Sequence, residues 1–327
     1  MDNKKKKWEK GVGGQAVIEG VMMRGKSMYA LSVRTPDKNI KTVKTDIKSA
    51  KDRAFVWRLP IFRGIIAFVD SLVTGMKVTM KSAELAGLDD IEYDKESKFE
   101  MWLEKKVGDK LADYVIYFSV FVSICLCVAL FILLPTVLGG WINGFLGDST
   151  SVRGAIESII KIIIFLGYMI LVSQMKDIKR VFMYHGAEHK TINCFESDLE
   201  LTVENVRKST RFHKRCGTSF LVIVLIISII VFFFVPTNDF WLRILSRVIL
   251  IPLIAGLSYE VIRWAGRHDN LLVNIVSFPG IATQLITTKE PDDSMIEVAI
   301  ASLKAVLEEE PVDECEGSCS GSQKKAG

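Results

Sequence analysis

Four apolar stretches, each close to the roughly 20 residues needed to cross a bilayer as a helix, constrain this chain more than any other feature. They run from about Tyr114 to Leu138, Ile156 to Met175, Ser219 to Val235 and Phe240 to Ile262. The second carries Lys161 near its start, where a long side chain can snorkel outward. The fourth holds Arg243 and Arg247 in its first half, so it is expected to pack against the others or to begin in the interface. With 49% hydrophobic and 24% charged residues in 327, the two kinds must be segregated, as in a membrane protein with sizeable aqueous parts. The fold class expected is an α-helical integral membrane protein with about four transmembrane helices, a small N-terminal antiparallel β subdomain and cytoplasmic helices.

Basic residues set the orientation. Between the second and third stretches lie Lys176, Lys179, Arg180, Lys190, Arg207, Lys208, Arg211 and Lys214, whereas the loop from Gly139 to Glu157 carries only Arg153 and Pro236 to Asp239 carries none. The positive-inside rule then puts residues 176–217 and both termini on the cytoplasmic side of the membrane. A formal net charge of +4 is too small to imply a nucleic-acid partner; the partners expected are the lipid bilayer and an unknown substrate or protein on the cytoplasmic face. Residues 1–12 form a basic tail in which Met1 to Lys10 lacks the apolar core of a secretory signal.

The remaining organisation follows from periodicity and turn chemistry. Residues 13–58 read as a small β subdomain, with strands over Val17 to Met23 and Tyr29 to Arg34, a turn at Thr35 to Asn39 and a third strand from Ile40. Residues 60–113 read as amphipathic or interfacial helices opening at Pro60, and 114–262 as the four-span bundle. In 263–310, Asn270 to Leu285 is apolar but broken by Pro279-Gly280. Asp293 or Ser294 then caps a helix from Met295 whose stripe is Ile296, Ala299, Ile300, Leu303 and Leu307. Residues 311–327 read as a disordered tail. A permease is disfavoured, since no internal repeat is visible and the spans lack acidic residues at mid-membrane depth.

All four histidines lie between His185 and His268, and two of them fall in Tyr184-His185-Gly186-Ala187-Glu188-His189. On a helix the imidazoles of His185 and His189 project from one face one turn apart with Glu188 beside them. His-x-x-Glu-His is the order of the inverted zinc-protease motif, in which both histidines bind zinc and the glutamate activates water. His213-Lys214-Arg215-Cys216 begins the third span, so adjacent spans would bring it to the same membrane surface. The candidate ligands are His185, His189, His213 and Cys216 for Zn2+ or another divalent transition metal, with Glu188 as the catalytic base. If all four bind, the shell is closed and structural; if three bind, a position stays open for chemistry.

Other residues are weaker candidates. Cys194 and Glu196 read as ordinary residues beyond the motif, and His268 as a surface histidine in a basic collar. Glu260, near the inner end of an apolar span, is expected to pair with an arginine rather than to serve as a downstream acidic ligand. Cys315-x-x-x-Cys319 in the tail is weak as a metal site, and no disulfide framework is expected in a reducing cytosol.

Four segments carry a likeness to a known family. Gly13 to Arg24 (Gly-Gly-Gln-Ala-Val-Ile-Glu-Gly-Val-Met-Met-Arg), Tyr184 to Thr191, Arg211 to Phe220 and Thr287 to Asp293 resemble the YqhQ family of bacterial membrane proteins over nearly the whole chain. The resemblance implies membrane location and a metal-dependent enzyme, without naming a reaction. It also draws Glu19 and Arg24 toward the histidines, for substrate binding or support of the ligands. Two functions follow as expectations: a cytoplasm-facing zinc-dependent hydrolase, with peptides as one substrate class, or a noncatalytic membrane scaffold or assembly factor with a structural zinc site.

Overall fold

A computed structural model describes residues 11–47, 59–88, 111–146, 150–214, 216–235, 237, 239–265, 268 and 270–308. Its first four elements form one antiparallel meander, β1 (Gly13–Val17), β2 (Gly20–Arg24), β3 (Met28–Arg34) and β4 (Ile40–Asp46), in that spatial order. The expected single strand over Val17 to Met23 is therefore two strands. Val17 pairs with Gly20 across the two-residue turn Ile18-Glu19, and Glu19 takes a positive φ of 51° to make it. Alternation then divides the sheet between two cores. Val21, Met23 and Ala30 face one side, and Val17, Met22, Leu31 and Val33 face the other.

The second of these faces is covered by α1 (Phe62–Leu85), through Val78 and Leu85. The first packs on the last helix, α11 (Asp293–Leu307), and on α5 (Lys176–Glu196), with the short α6 (Val203–Lys208) closing the edge. Asp292, one residue earlier than expected, caps α11 by accepting a hydrogen bond from the Met295 amide at 2.9 Å. Of the expected stripe, Ile296, Ala299, Ile300 and Leu303 are buried and Leu307 is half-buried; Met295, Val298, Ala305 and Val306 are buried as well, because α11 is enclosed on several sides. Its Ser302 hydroxyl donates to the Ala30 carbonyl at 2.8 Å and accepts from the Met23 amide at 3.1 Å, tying the last helix to the second and third strands.

The apolar helices form the other half of the molecule. Phe118–Phe145 and Val152–Ser173 are long and apolar enough to cross a membrane. The former joins α2 (Leu111–Val128) to α3 (Leu134–Phe145) through a wide π turn, Ala129–Leu133, just ahead of Pro135, which has no amide hydrogen to give the preceding turn. The latter belongs to α4 (Thr150–Ser173). The third expected span is the 17-residue α7 (Gly217–Phe233). The fourth is not one rod: α8 (Phe240–Ile249) and α9 (Ile251–Ala265) meet at 45° next to Pro252, and the pair would count as one bent span.

Two further expectations are corrected. Lys161 does not snorkel outward; it is 9% exposed, with its ammonium 4.7 Å from the centre of the Phe232 ring. Nor does Pro279-Gly280 end a segment, because α10 (Leu271–Thr287) runs through it as one helix. A single missing amide hydrogen is tolerated where neighbouring helices pack closely. Residues 1–10 of the expected basic tail, residues 89–110 of the charged stretch that connects to the first span, and the tail 311–327 with its two cysteines lie outside the described residues.

Candidate metal centre

The motif sits in the middle of α5, where that helix leaves the bundle and enters the core under the sheet. His185 and His189 are one turn apart, and their ring centres are separated by 4.4 Å. Each ring is pinned at Nδ1 by a backbone carbonyl: His185 by Thr287 at 2.9 Å, at the end of α10, and His189 by Arg211 at 2.6 Å, in the loop before α7. A carbonyl can only accept, so each Nδ1 donates and each Nε2 presents a lone pair. His185 Nε2 lies 3.2 Å from the Cys216 sulfur. His189 Nε2 is fully buried and makes no hydrogen bond of acceptable geometry, although the same sulfur lies beside it.

Cys216 reaches this position because it is the N-cap of α7. Its sulfur accepts from the Thr218 amide at 3.4 Å and stands 3.0 Å from the Thr218 hydroxyl, where the helix dipole favours negative charge. The ligand atoms of His185, His189 and Cys216 all lie within 4.8 Å of one another. The edge of a tetrahedral zinc shell with two nitrogens and one sulfur is roughly 3.5 Å, so the three donors would close by about 1 Å around an ion. A buried nitrogen without a hydrogen bond, two fixed tautomers and a sulfur at a helix N-terminus fit a divalent transition metal.

His213, the fourth expected ligand, is beside this group and not in it. Its ring centre is 5.7 Å from that of His189, and its Nε2 points to Glu196 at 3.5 Å. Its backbone is clasped by Gln284 of α10, which accepts from the His213 amide at 2.9 Å and donates to its carbonyl at 2.7 Å. Burial lowers the pKa of both His189 and His213, so both rings favour the neutral form.

Glu188 is buried, and its burial raises its pKa, while His185 and His213 beside it oppose that rise. It packs against β1. A Cβ on Gly14 would stand 2.7 Å from Glu188 Oε1, so only glycine lets the strand pass over the carboxylate. Gly186 does the same on another side of the helix, since a Cβ there would fall 2.0 Å from the Lys289 carbonyl oxygen. Both glycines belong to the segments that carry the family likeness.

Glu19 is brought near the motif but not into it. Its carboxylate accepts from Arg180 Nε and Nη2 and, at 3.3 Å, from the hydroxyl of the fully buried Tyr184, which precedes His185. It therefore ties the β1–β2 turn to α5. Arg24 lies exposed at the far end of β2, opposite Gly13. Cys194 is buried in the core under the sheet, and His268 is exposed, bonded through Nδ1 to the Trp264 carbonyl. Glu260 has its arginine: Arg63 of α1 donates to both carboxylate oxygens, at 2.6 and 2.5 Å.

Sequence reasoning missed the carbonyls of Thr287 and Arg211, for which side-chain patterns carry no signal. It also missed Gln284, whose amide in an apolar helix was a signal available to be read.

Residues 59–309 match the family model described as "Protein of unknown function (DUF1385)". Over 304 residues the chain is 39% identical to the "Uncharacterized protein YqhQ" of Bacillus subtilis (strain 168), a similarity that covers 92% of this chain and 94% of that one. No solved structure matches. With the family model covering most of the chain and the relative nearly all of it, this protein belongs to the DUF1385 family, the YqhQ family to which its motifs pointed.

Proposed function

We propose that this chain is a multi-pass protein of the bacterial cell membrane whose cytoplasm-facing centre holds zinc, or another divalent transition metal, through His185, His189 and Cys216. Its reaction is a hydrolysis, with peptides as the substrate class and Glu188 as general base. The observation that carries the reading is the pair of imidazoles locked at Nδ1, which turns the buried, unbonded His189 Nε2 and the His185 Nε2 toward one sulfur.

Three protein donors leave a coordination position for a reactant, and His213 stays turned to Glu196. A metal held there supplies Lewis acidity toward a carbonyl. Glu188 takes a proton from the attacking nucleophile and returns it to the leaving group, while β1 passes over its carboxylate and shields it from bulk water. Thr287 and Arg211 hold the ring tautomers throughout.

Four crossings fit this arrangement: α2 with α3, then α4, α7, and α8 with α9. The helix α10 meets α7 at its first turns, through Lys214 to Asn274 and Gln284 to Ser219, so it lies across the base of the bundle. Its outward residues Leu271, Leu272, Ile275 and Phe278, like Leu72, Val73, Met76 and Met80 of α1, are apolar and exposed, as interfacial helices require.

The test is elemental analysis of the purified protein together with metal-dependent cleavage of a peptide library, for the wild type and for Glu188→Gln. Metal at one equivalent in both, with cleavage only in the wild type, supports the reading. A wild type that takes up no zinc, or cleavage that survives in Glu188→Gln, overturns it. Metal that is lost when His213 is removed points instead to a closed structural site in a scaffold.

A further inference from the structure

A second charged cluster lies in the apolar half, away from the histidines. Glu157 of α4 is 2% exposed, and its carboxylate accepts from Arg153 Nε at 3.2 Å, from Arg243 Nη1 at 2.8 Å and from Arg247 Nη2. Lys161, one turn further along α4, joins the group electrostatically. Among the described residues its ammonium makes no hydrogen bond and rests on the Phe232 ring, a ring that also receives the Arg247 guanidinium at 5.4 Å. The Thr237 hydroxyl, whose residue accepts from Arg243 through its carbonyl at 2.9 Å, is buried without a partner.

Among the described residues three arginines thus contact one carboxylate and Lys161 feels its charge, with Lys161, Arg243 and Arg247 each less than a tenth exposed. One carboxylate answers one positive charge. Uncompensated charge among apolar helices costs several kcal/mol per ion, so a counter-charge is required. Arg243 spends its remaining donors on the Thr237 carbonyl and Arg247 another on the Thr136 hydroxyl, while planar guanidinium forks match the oxygens of a phosphate and a lysine without a hydrogen-bond acceptor supplies a point charge. Glu157 keeps the guanidiniums aimed at one centre.

We propose that this cluster is a binding site for a phosphate group, carried by the headgroup of an anionic lipid or free in solution. The inference rests on the bundle lying in a bilayer, as proposed above. Glu157 is 16 residues before the end of α4, about 24 Å along the helix, so the phosphate site and the candidate metal centre occupy opposite ends of the same bundle.

The experiment uses the full-length protein in nanodiscs of phosphatidylcholine with and without phosphatidylglycerol, and in detergent with inorganic phosphate. Retained lipid is counted by native mass spectrometry and thermal stability is followed. Lys161→Gln removes a charge that makes no hydrogen bond, so the Glu157 network stays intact; Arg153→Gln is the second variant.

Selective retention of phosphatidylglycerol by the wild type, weakened about tenfold in either variant, identifies a lipid headgroup. A stabilisation by inorganic phosphate that both variants lose identifies a free anion. Binding of both ligands by the variants as strongly as by the wild type, or by none of the three proteins, overturns the proposal. A chain recovered in the soluble fraction without detergent would instead defeat the membrane reading, which is a distinguishable result.

Discussion

His185 Nε2 stands 3.2 Å from the Cys216 sulfur although 31 residues separate them in the chain. Neither residue moves freely, because the Thr287 carbonyl holds the imidazole and the Thr218 amide holds the sulfur. The two donors therefore meet by construction of α5, α7 and α10.

Removing one donor should remove the metal. Dividing the roughly 10–16 kcal/mol of a structural zinc site among four ligands gives about 3 kcal/mol each, or about a hundredfold in affinity. His189→Ala and Cys216→Ala are each expected to lose stoichiometric zinc by elemental analysis after dialysis against a weak chelator. Full retention in both would exclude this cluster as the centre.

His213→Ala separates the open site from the closed one. Since His213 faces Glu196 and its position depends on Gln284, the variant should keep its zinc at one equivalent and lose stability by about 1–2 kcal/mol. Zinc titration beside a thermal melt gives both readings. Loss of zinc with the fold retained would make His213 a ligand.

Gly14→Val should disturb the site from the sheet side. The added carbons collide with Glu188 Oε1 and Cγ, so either the carboxylate or β1 must shift, at about 1–3 kcal/mol. The melting midpoint in detergent should fall while Gly13→Val, which meets nothing within 4 Å, leaves it in place. Equal melting of the two variants would show that the close approach is unimportant.

Arg63 and Glu260 form a part-exposed bidentate pair that joins α1 to α9. Such pairs are worth about 1 kcal/mol at most, so Arg63→Glu should loosen α1 rather than unfold the chain. Limited proteolysis ahead of α1 should accelerate in Arg63→Glu and return to the wild-type rate in Arg63→Glu with Glu260→Arg. No rescue in the double variant would remove the pair as the link.

The helices and the motif were legible because their signals are local. A period of 3.6 places His185 and His189 on one face from sequence alone, and an uninterrupted apolar run announces α2 with α3 and α4. Other features were not legible because they depend on partners remote in the chain. Lys161 turns inward only because Phe232 of α7 offers it a ring, and His213 turns away only because Gln284 grips its backbone. The β1–β2 hairpin escaped notice for a different reason: Ile18-Glu19 lacks the usual Asn-Gly or Asp-Gly signal, and Arg180 and Tyr184 supply from outside what the turn lacks inside. The bend between α8 and α9 was readable at Pro252, but the hydrophobicity around it hid the break.

The enclosure of α11 by strands from the start of the chain orders events during synthesis. The Thr287 carbonyl that pins His185 and the helix that backs α5 follow the motif by about a hundred residues, so a nascent chain cannot fix the His185 ring until that later stretch has been made. Products of early termination carry the His-x-x-Glu-His segment without its clamp.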